Sequence, residues 1–120
     1  MSEDSFVRAL ELTAFPASGL VSVTLRGWRV LIARVGADYF ALNDRCTHAA
    51  SPLSTGRLRH GAIMCPLHGA RFELASGACI GGAHRPGRRF PLRPGGDWIE
   101  IAVAAGPPGP NEGPPQGFKA

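Results

Sequence analysis

The stretch Cys46-Thr47-His48-Ala49-Ala50-Ser51-Pro52-Leu53-Ser54-Thr55-Gly56-Arg57-Leu58-Arg59-His60-Gly61-Ala62-Ile63-Met64-Cys65-Pro66-Leu67-His68-Gly69-Ala70-Arg71-Phe72 decides how the rest of the chain is read. It holds two paired sets of metal-binding side chains, Cys46 with His48 and Cys65 with His68, separated by sixteen residues. Two Cys and two His suit a closed tetrahedral zinc site. The same four suit a two-iron, two-sulfide cluster with Cys on one iron and His on the other. The donor set alone leaves both open.

Context favours the binuclear centre. A small zinc module depends on its metal because it lacks a core. Here about forty residues of strand-like pattern precede Cys46, and more follow His68. Val7–Leu12, Val21–Leu25, Trp28–Arg34 and Tyr39–Leu42 read as strands. So do Leu53–Leu58, Ala62–Met64, Arg71–Leu74 and the late hairpin of Arg88–Arg93 with Trp98–Ala104. Turns are expected at Arg26-Gly27, Gly36-Ala37-Asp38, Arg59-His60-Gly61 and Pro94-Gly95-Gly96-Asp97. This spacing, without a long helical period, predicts an all-β sandwich or barrel. Each loop also supplies one Cys and one His, so loops lying side by side let the Cys converge on one metal and the His on another.

The pattern resembles the Rieske family: C-x-H in Cys46-Thr47-His48, then C-P-x-H-G in Cys65-Pro66-Leu67-His68-Gly69. Tyr39–Asp44, Pro52-Leu53, Gly61, Met64 and Ser76-Gly77 are similar to the surroundings of these loops in Rieske ferredoxins. The resemblance covers roughly residues 6 to 104. It implies an antiparallel Rieske-like β-sandwich with an inserted cluster-binding subdomain at about residues 44–86, within a domain spanning 1–105. It implies one 2Fe-2S cluster per chain, with Cys46 and Cys65 on the inner iron and His48 and His68 on the outer. The Gly81–Gly87 segment resembles the third loop that covers the cluster in this family.

Charge counting then sets an expectation for the potential. Two thiolates and two neutral imidazoles leave the cluster less negative than four thiolates do, so reduction is easier. High-potential relatives carry Ser and Tyr hydroxyls where this chain has Ala70 and Phe72, and a disulfide between the loops where it has Ser51 or a neighbour and Leu67. The resemblance therefore implies a potential at the low end of the Rieske range. Ligation by imidazole further implies that the potential falls as pH rises through ionisation of a bound ring.

Composition narrows the function. The chain has 120 residues, 44% of them hydrophobic, enough for one domain with a modest core. Three Cys do not form a disulfide framework, and thiols kept reduced point to the cytoplasm. Residues 1–20 show no export signal, and no run reaches the roughly 18 apolar residues that span a bilayer. The formal charge of +4 is uneven. Residues 45–93 contain eight arginines and one acid, Glu73, so this segment carries +7 and the flanks −3. Such a face suits an acidic partner, with Arg45 and Arg71 nearest the ligand loops.

Residues 106–117, GPPGPNEGPPQG, have five Pro and four Gly, so 106–120 reads as a flexible or extended tail. Cys79 reads as a small packed hydrophobe, Trp28 and Trp98 as packing residues, and His60 and His84 as residues without a ligand role. A Rieske oxygenase needs a further two-His, one-carboxylate iron site, for which no domain is available here. The expected function is that of a non-catalytic one-electron carrier, a ferredoxin between a flavoprotein reductase and a terminal oxygenase. A small Rieske-like subunit of another oxidoreductase, such as assimilatory nitrite reductase, is the alternative within the same chemistry. A zinc-stabilised nucleic-acid-binding module is the alternative from another class, weakened by the lack of a recognition helix.

Overall fold

The computed structural model describes residues 6–47, 51–66, 69–80, 85–104, 106–109 and 112–113. Ten strands are assigned among them: β1 Phe6–Glu11, β2 Leu20–Leu25, β3 Trp28–Val35, β4 Asp38–Asn43, β5 Arg57–Arg59, β6 Ala62–Met64, β7 Arg71–Glu73, β8 Cys79–Ile80, β9 Leu92–Gly95 and β10 Trp98–Ala102. They form three antiparallel sheets, ordered β1-β10-β9, β2-β3-β4 and β5-β6-β7-β8. No α-helix occurs among the described residues, so none there is long and apolar enough to cross a membrane.

The order of layers follows from β3. Its first six residues, Trp28 to Ala33, are all buried, as expected of a strand covered on both faces. Alternation sends successive side chains to opposite sides. Leu31 and Ala33, with Leu42 of β4, join Ile63 of β6 and Phe72 of β7 in one buried cluster. Trp28, Val30 and Ile32, with Ala41 of β4, join Ile99 and Ile101 of β10 in another. The middle sheet thus has a core on each face. One core fastens it to the β1-β10-β9 sheet, and the other to the sheet that carries the second candidate loop.

Hairpin geometry fixes the registers. Leu25 pairs with Trp28 across Arg26-Gly27, and Arg59 pairs with Ala62 across His60-Gly61. All four turn residues have positive φ, between 51° and 84°. This is the type I′ arrangement whose twist matches the flanking strands.

Three segments differ from the sequence reading. Leu53–Thr55 is a 3-10 turn, and only Arg57–Arg59 is strand. Local hydrogen bonds outcompete the ladder there: Thr55 Oγ1 donates to Pro52 O (2.9 Å) and Gly56 N–H to Leu53 O (2.9 Å). The segment expected as one strand from Arg88 to Arg93 is divided between two sheets. Asn43 N–H donates to Arg88 O (2.8 Å) and Phe90 N–H to Ala41 O (3.0 Å), so Arg88–Phe90 runs along β4. Past Pro91 the chain changes sheet and pairs with β10, as at the corners of orthogonally packed sheets. The two-residue strand β8, opposite Arg71 and Phe72, has too short a pattern to be read from sequence.

Leu31 is fully buried in the core that the two candidate loops share. Leu31→Ala should therefore lower unfolding stability in urea by about 2–5 kcal/mol. A loss below about 1 kcal/mol would contradict its position between the two sheets.

Candidate metal centre

The first candidate loop grows out of β4 through Asp44, whose side chain is fully buried. Arg29 Nε on β3 lies 2.9 Å from Asp44 Oδ2. Ser22 Oγ on β2 donates to the same oxygen at 2.8 Å, and Ser54 Oγ donates at 2.6 Å. Ser54 N–H donates to Asp44 Oδ1 at 2.7 Å. Asp44 N–H in turn donates to Arg29 O (2.8 Å). A carboxylate with four donors satisfies the requirement that a buried charge be paired and fully hydrogen-bonded. It ties β2, β3 and the Leu53–Thr55 turn to one point, two residues before Cys46.

Each loop is closed at its neck by backbone bonds. Cys46 N–H donates to Ser51 O (2.9 Å). Cys65, directly after β6, donates its N–H to Ala70 O (2.7 Å) and accepts from Gly69 N–H at 3.0 Å. Gly69 has φ +76°, and a β-carbon there would meet no atom within 4 Å. The need for glycine is therefore the left-handed backbone that completes this loop, rather than a shortage of room. A third segment is joined to the first loop where Thr47 Oγ1 donates to Arg85 O (2.7 Å). Gly87 N–H anchors the same segment on Gly77 O (2.7 Å).

Cys46 and Cys65 are each 1% exposed and belong to the same buried cluster, with Leu31, Leu42, Ile63 and Phe72. They form no disulfide with each other or with Cys79, which packs half-buried against that cluster. Two thiols buried in one apolar cluster suit a soft-ligand metal centre. His48 and His68, like Leu67, His84 and residues 81–83, lie outside the described residues. Among the described residues no three metal-binding side chains come together. Trp28 is core and Trp98 half-buried. His60 occupies a turn.

The sequence reading missed two features. One is the bonding of Asp44. The other is Glu112, whose carboxylate receives Arg88 Nε at 2.6 Å and Nη2 at 3.2 Å. Around it, Asn43 Nδ2 donates to Glu112 O (3.0 Å) and Arg45 Nη1 to Gly113 O (3.2 Å). The available signal was that Glu112 is the only acid in GPPGPNEGPPQG, in a chain with an arginine-rich middle. The hydrogen bond from Arg88 holds the Glu112 carboxyl below its ordinary value of 4.5; partial burial opposes this, and the charges of Arg88 and Arg85 add to it.

The Rieske [2Fe-2S] domain family matches residues 5–91. The ferredoxin component of the naphthalene 1,2-dioxygenase system of Pseudomonas aeruginosa is 30% identical over 77 residues, which is 64% of this chain and 74% of that one. Methylxanthine N1-demethylase NdmA of Pseudomonas putida is 36% identical over 67 residues, 55% of this chain but 19% of that one. Among solved structures, the ferredoxin of carbazole 1,9a-dioxygenase from Nocardioides aromaticivorans IC177 superposes with TM-score 0.78 and 26% identity, covering 83% of this chain and 99% of that one.

Asp44→Ala leaves Arg29 buried without its carboxylate and should cost about 3–5 kcal/mol of unfolding stability, with Asp44→Asn less severe. Equal stability of Asp44→Ala and wild type would contradict the bonding described. The Glu112–Arg88 pair is half-exposed and contributes at most about 1 kcal/mol. Because the folded-state pKa is lowered, that contribution is complete above 4.5 and is lost as pH falls through the lowered value. The stability difference between wild type and Glu112→Gln should shrink on acidification; a difference that grows would contradict it.

Proposed function

Because the chain belongs to the Rieske [2Fe-2S] domain family, we propose that Cys46 and Cys65 hold the inner iron of its cluster and His48 and His68 the outer one, and that the protein is a ferredoxin passing single electrons from a flavoprotein reductase to a terminal oxygenase. One observation carries the ligand assignment. The Cys of both motifs are buried in one cluster of side chains, at the necks of two loops closed by their own backbone bonds. The extent of the similarity supports the carrier reading. It runs through most of a ferredoxin component, but through a small part of a demethylase.

When bound, the cluster supplies a site for one electron. The chain's part is to fix that site and tune it. Leu31, Leu42 and Ile63, none of them exposed, keep water from the thiol side. The closed loop necks limit reorganisation as charge changes. Ala70 packs against this cluster and Phe72 lies within it, and neither side chain offers a hydroxyl donor. A cluster reduced here gains no such hydrogen bond, which supports a potential near the low end of the Rieske range, about −150 mV rather than +300 mV. The reading also puts the protein in the cytoplasm, where thiols stay reduced.

A redox titration followed by visible absorbance tests the reading. A brown protein with two irons and two sulfides per chain, titrating as one electron near that low limit, is the expected result. Installing Ala70→Ser and Phe72→Tyr together should raise the midpoint. A colourless protein holding zinc, or a midpoint well above zero, would overturn it.

A further inference from the structure

Beside the first candidate loop lies a cavity of about 600 Å³, bordered by Asn43, Arg45, Thr47, Arg85, Arg88 and Glu112. Three of these residues are arginines and one is an acid. Arg88 forks onto the Glu112 carboxylate and lies over the Trp28 ring, 5.1 Å from its centroid. Arg45 uses one donor on a backbone oxygen, and Arg85 is exposed. Neither forms an ion pair with a carboxylate among the described residues. The cavity therefore holds three guanidinium groups against one carboxylate, a surplus of two positive charges. Arginine forks are suited to bidentate recognition of carboxylates.

The carboxylate already present is held by a partly exposed ion pair. Neither Glu112 nor Gly113 contributes to either buried core. Among the described residues the segment's attachments are the Arg88 pair, hydrogen bonds from Asn43 and Arg45 to backbone oxygens, a turn in which Glu112 N–H donates to Gly109 O, and, farther back, Trp28 Nε1 donating to Gly106 O. Thr47, which borders the cavity, stands between Cys46 and His48 in the chain. An acidic group seated here would bring its owner against the first candidate loop. The other basic surface near the loops is less developed. Arg59 and Arg71 border a smaller cavity of about 320 Å³ beside Gly69, and no carboxylate occupies it.

We propose that the cavity of Arg45, Arg85 and Arg88 is a carboxylate-recognition site for an acidic segment of the electron-transfer partner, and that Glu112 fills it in cis until that segment displaces it. This rests on the electron-carrier reading and adds the place and chemistry of partner recognition. The tail thereby competes with partners, so weakly acidic proteins are held off and strongly acidic ones admitted.

Calorimetric titration of hexaglutamate into the oxidised holoprotein at low ionic strength tests this. Glu112→Gln should bind the peptide roughly two- to fivefold more tightly than wild type, the gain from removing one exposed charge pair. Adding Arg85→Gln to that variant should cancel the gain. Asp97→Asn, which makes the same change in net charge at an exposed hairpin tip, should leave the affinity unchanged. Equal affinity of wild type and Glu112→Gln, a gain that survives Arg85→Gln, or an equal gain from Asp97→Asn would each overturn the assignment. Visible absorbance of the same samples separates the two readings. Absence of the cluster band overturns the electron-carrier reading, whereas a normal band with any of those affinities overturns only the cavity's role.

Discussion

A single buried carboxylate holds the arrangement together. Asp44 accepts hydrogen bonds from Ser22, Arg29 and Ser54, which lie on two strands of the middle sheet and on the turn that follows the first candidate loop. A charge at zero exposure is tolerated because an arginine pairs with it and both its oxygens accept hydrogen bonds. That condition ties Asp44, two residues before Cys46, to Ser54, eight residues after it. Once Asp44 is placed, the loop has little freedom in how it leaves β4 or returns at Leu53. The second loop is placed differently. Its two ends are adjacent strands of one sheet, β6 and β7, so antiparallel pairing brings them together.

The two loops meet because the middle sheet is covered twice. Residues of β3 on one face pack against the β1-β10-β9 sheet, while those on the other pack against β6 and β7. The first core contains neither thiol of the two motifs. The second includes Cys46 and Cys65, so the packing that stabilises the fold also buries both thiols in one core. This division suits a carrier. A site whose neighbours are fixed by a sheet on either side changes little when its charge changes, and small reorganisation favours transfer in both directions. The surface beside it is free to specialise, and here it is arginine-rich with one acidic residue laid upon it.

Much of this was legible in the residues themselves. The spacing of the paired Cys and His pointed to the family that the chain matches, and Gly after Arg26 or His60 announced turns whose handedness the backbone then shows. What stayed hidden depended on partners distant in the chain. Leu53–Thr55 has the composition of a strand, yet Ser54 is drawn to a carboxylate ten residues earlier. Arg88–Arg93 looks like one strand because a change of sheet at Pro91 leaves no mark on its alternation. Glu112 is unremarkable in a Pro/Gly segment until its distance to Arg88, 24 residues earlier in the chain, is known. Local pattern reports periodicity and turn chemistry; it does not report which buried charge a side chain will answer.

Pulsed electron-nuclear resonance on the reduced protein, with histidine alone labelled by nitrogen-15, measures the central assignment most directly. Two strongly coupled labelled nitrogens on the centre, with both lost when His48 and His68 are replaced, is the predicted result. A reduced centre with no coupled histidine nitrogen, or one whose couplings survive those replacements, would contradict the account.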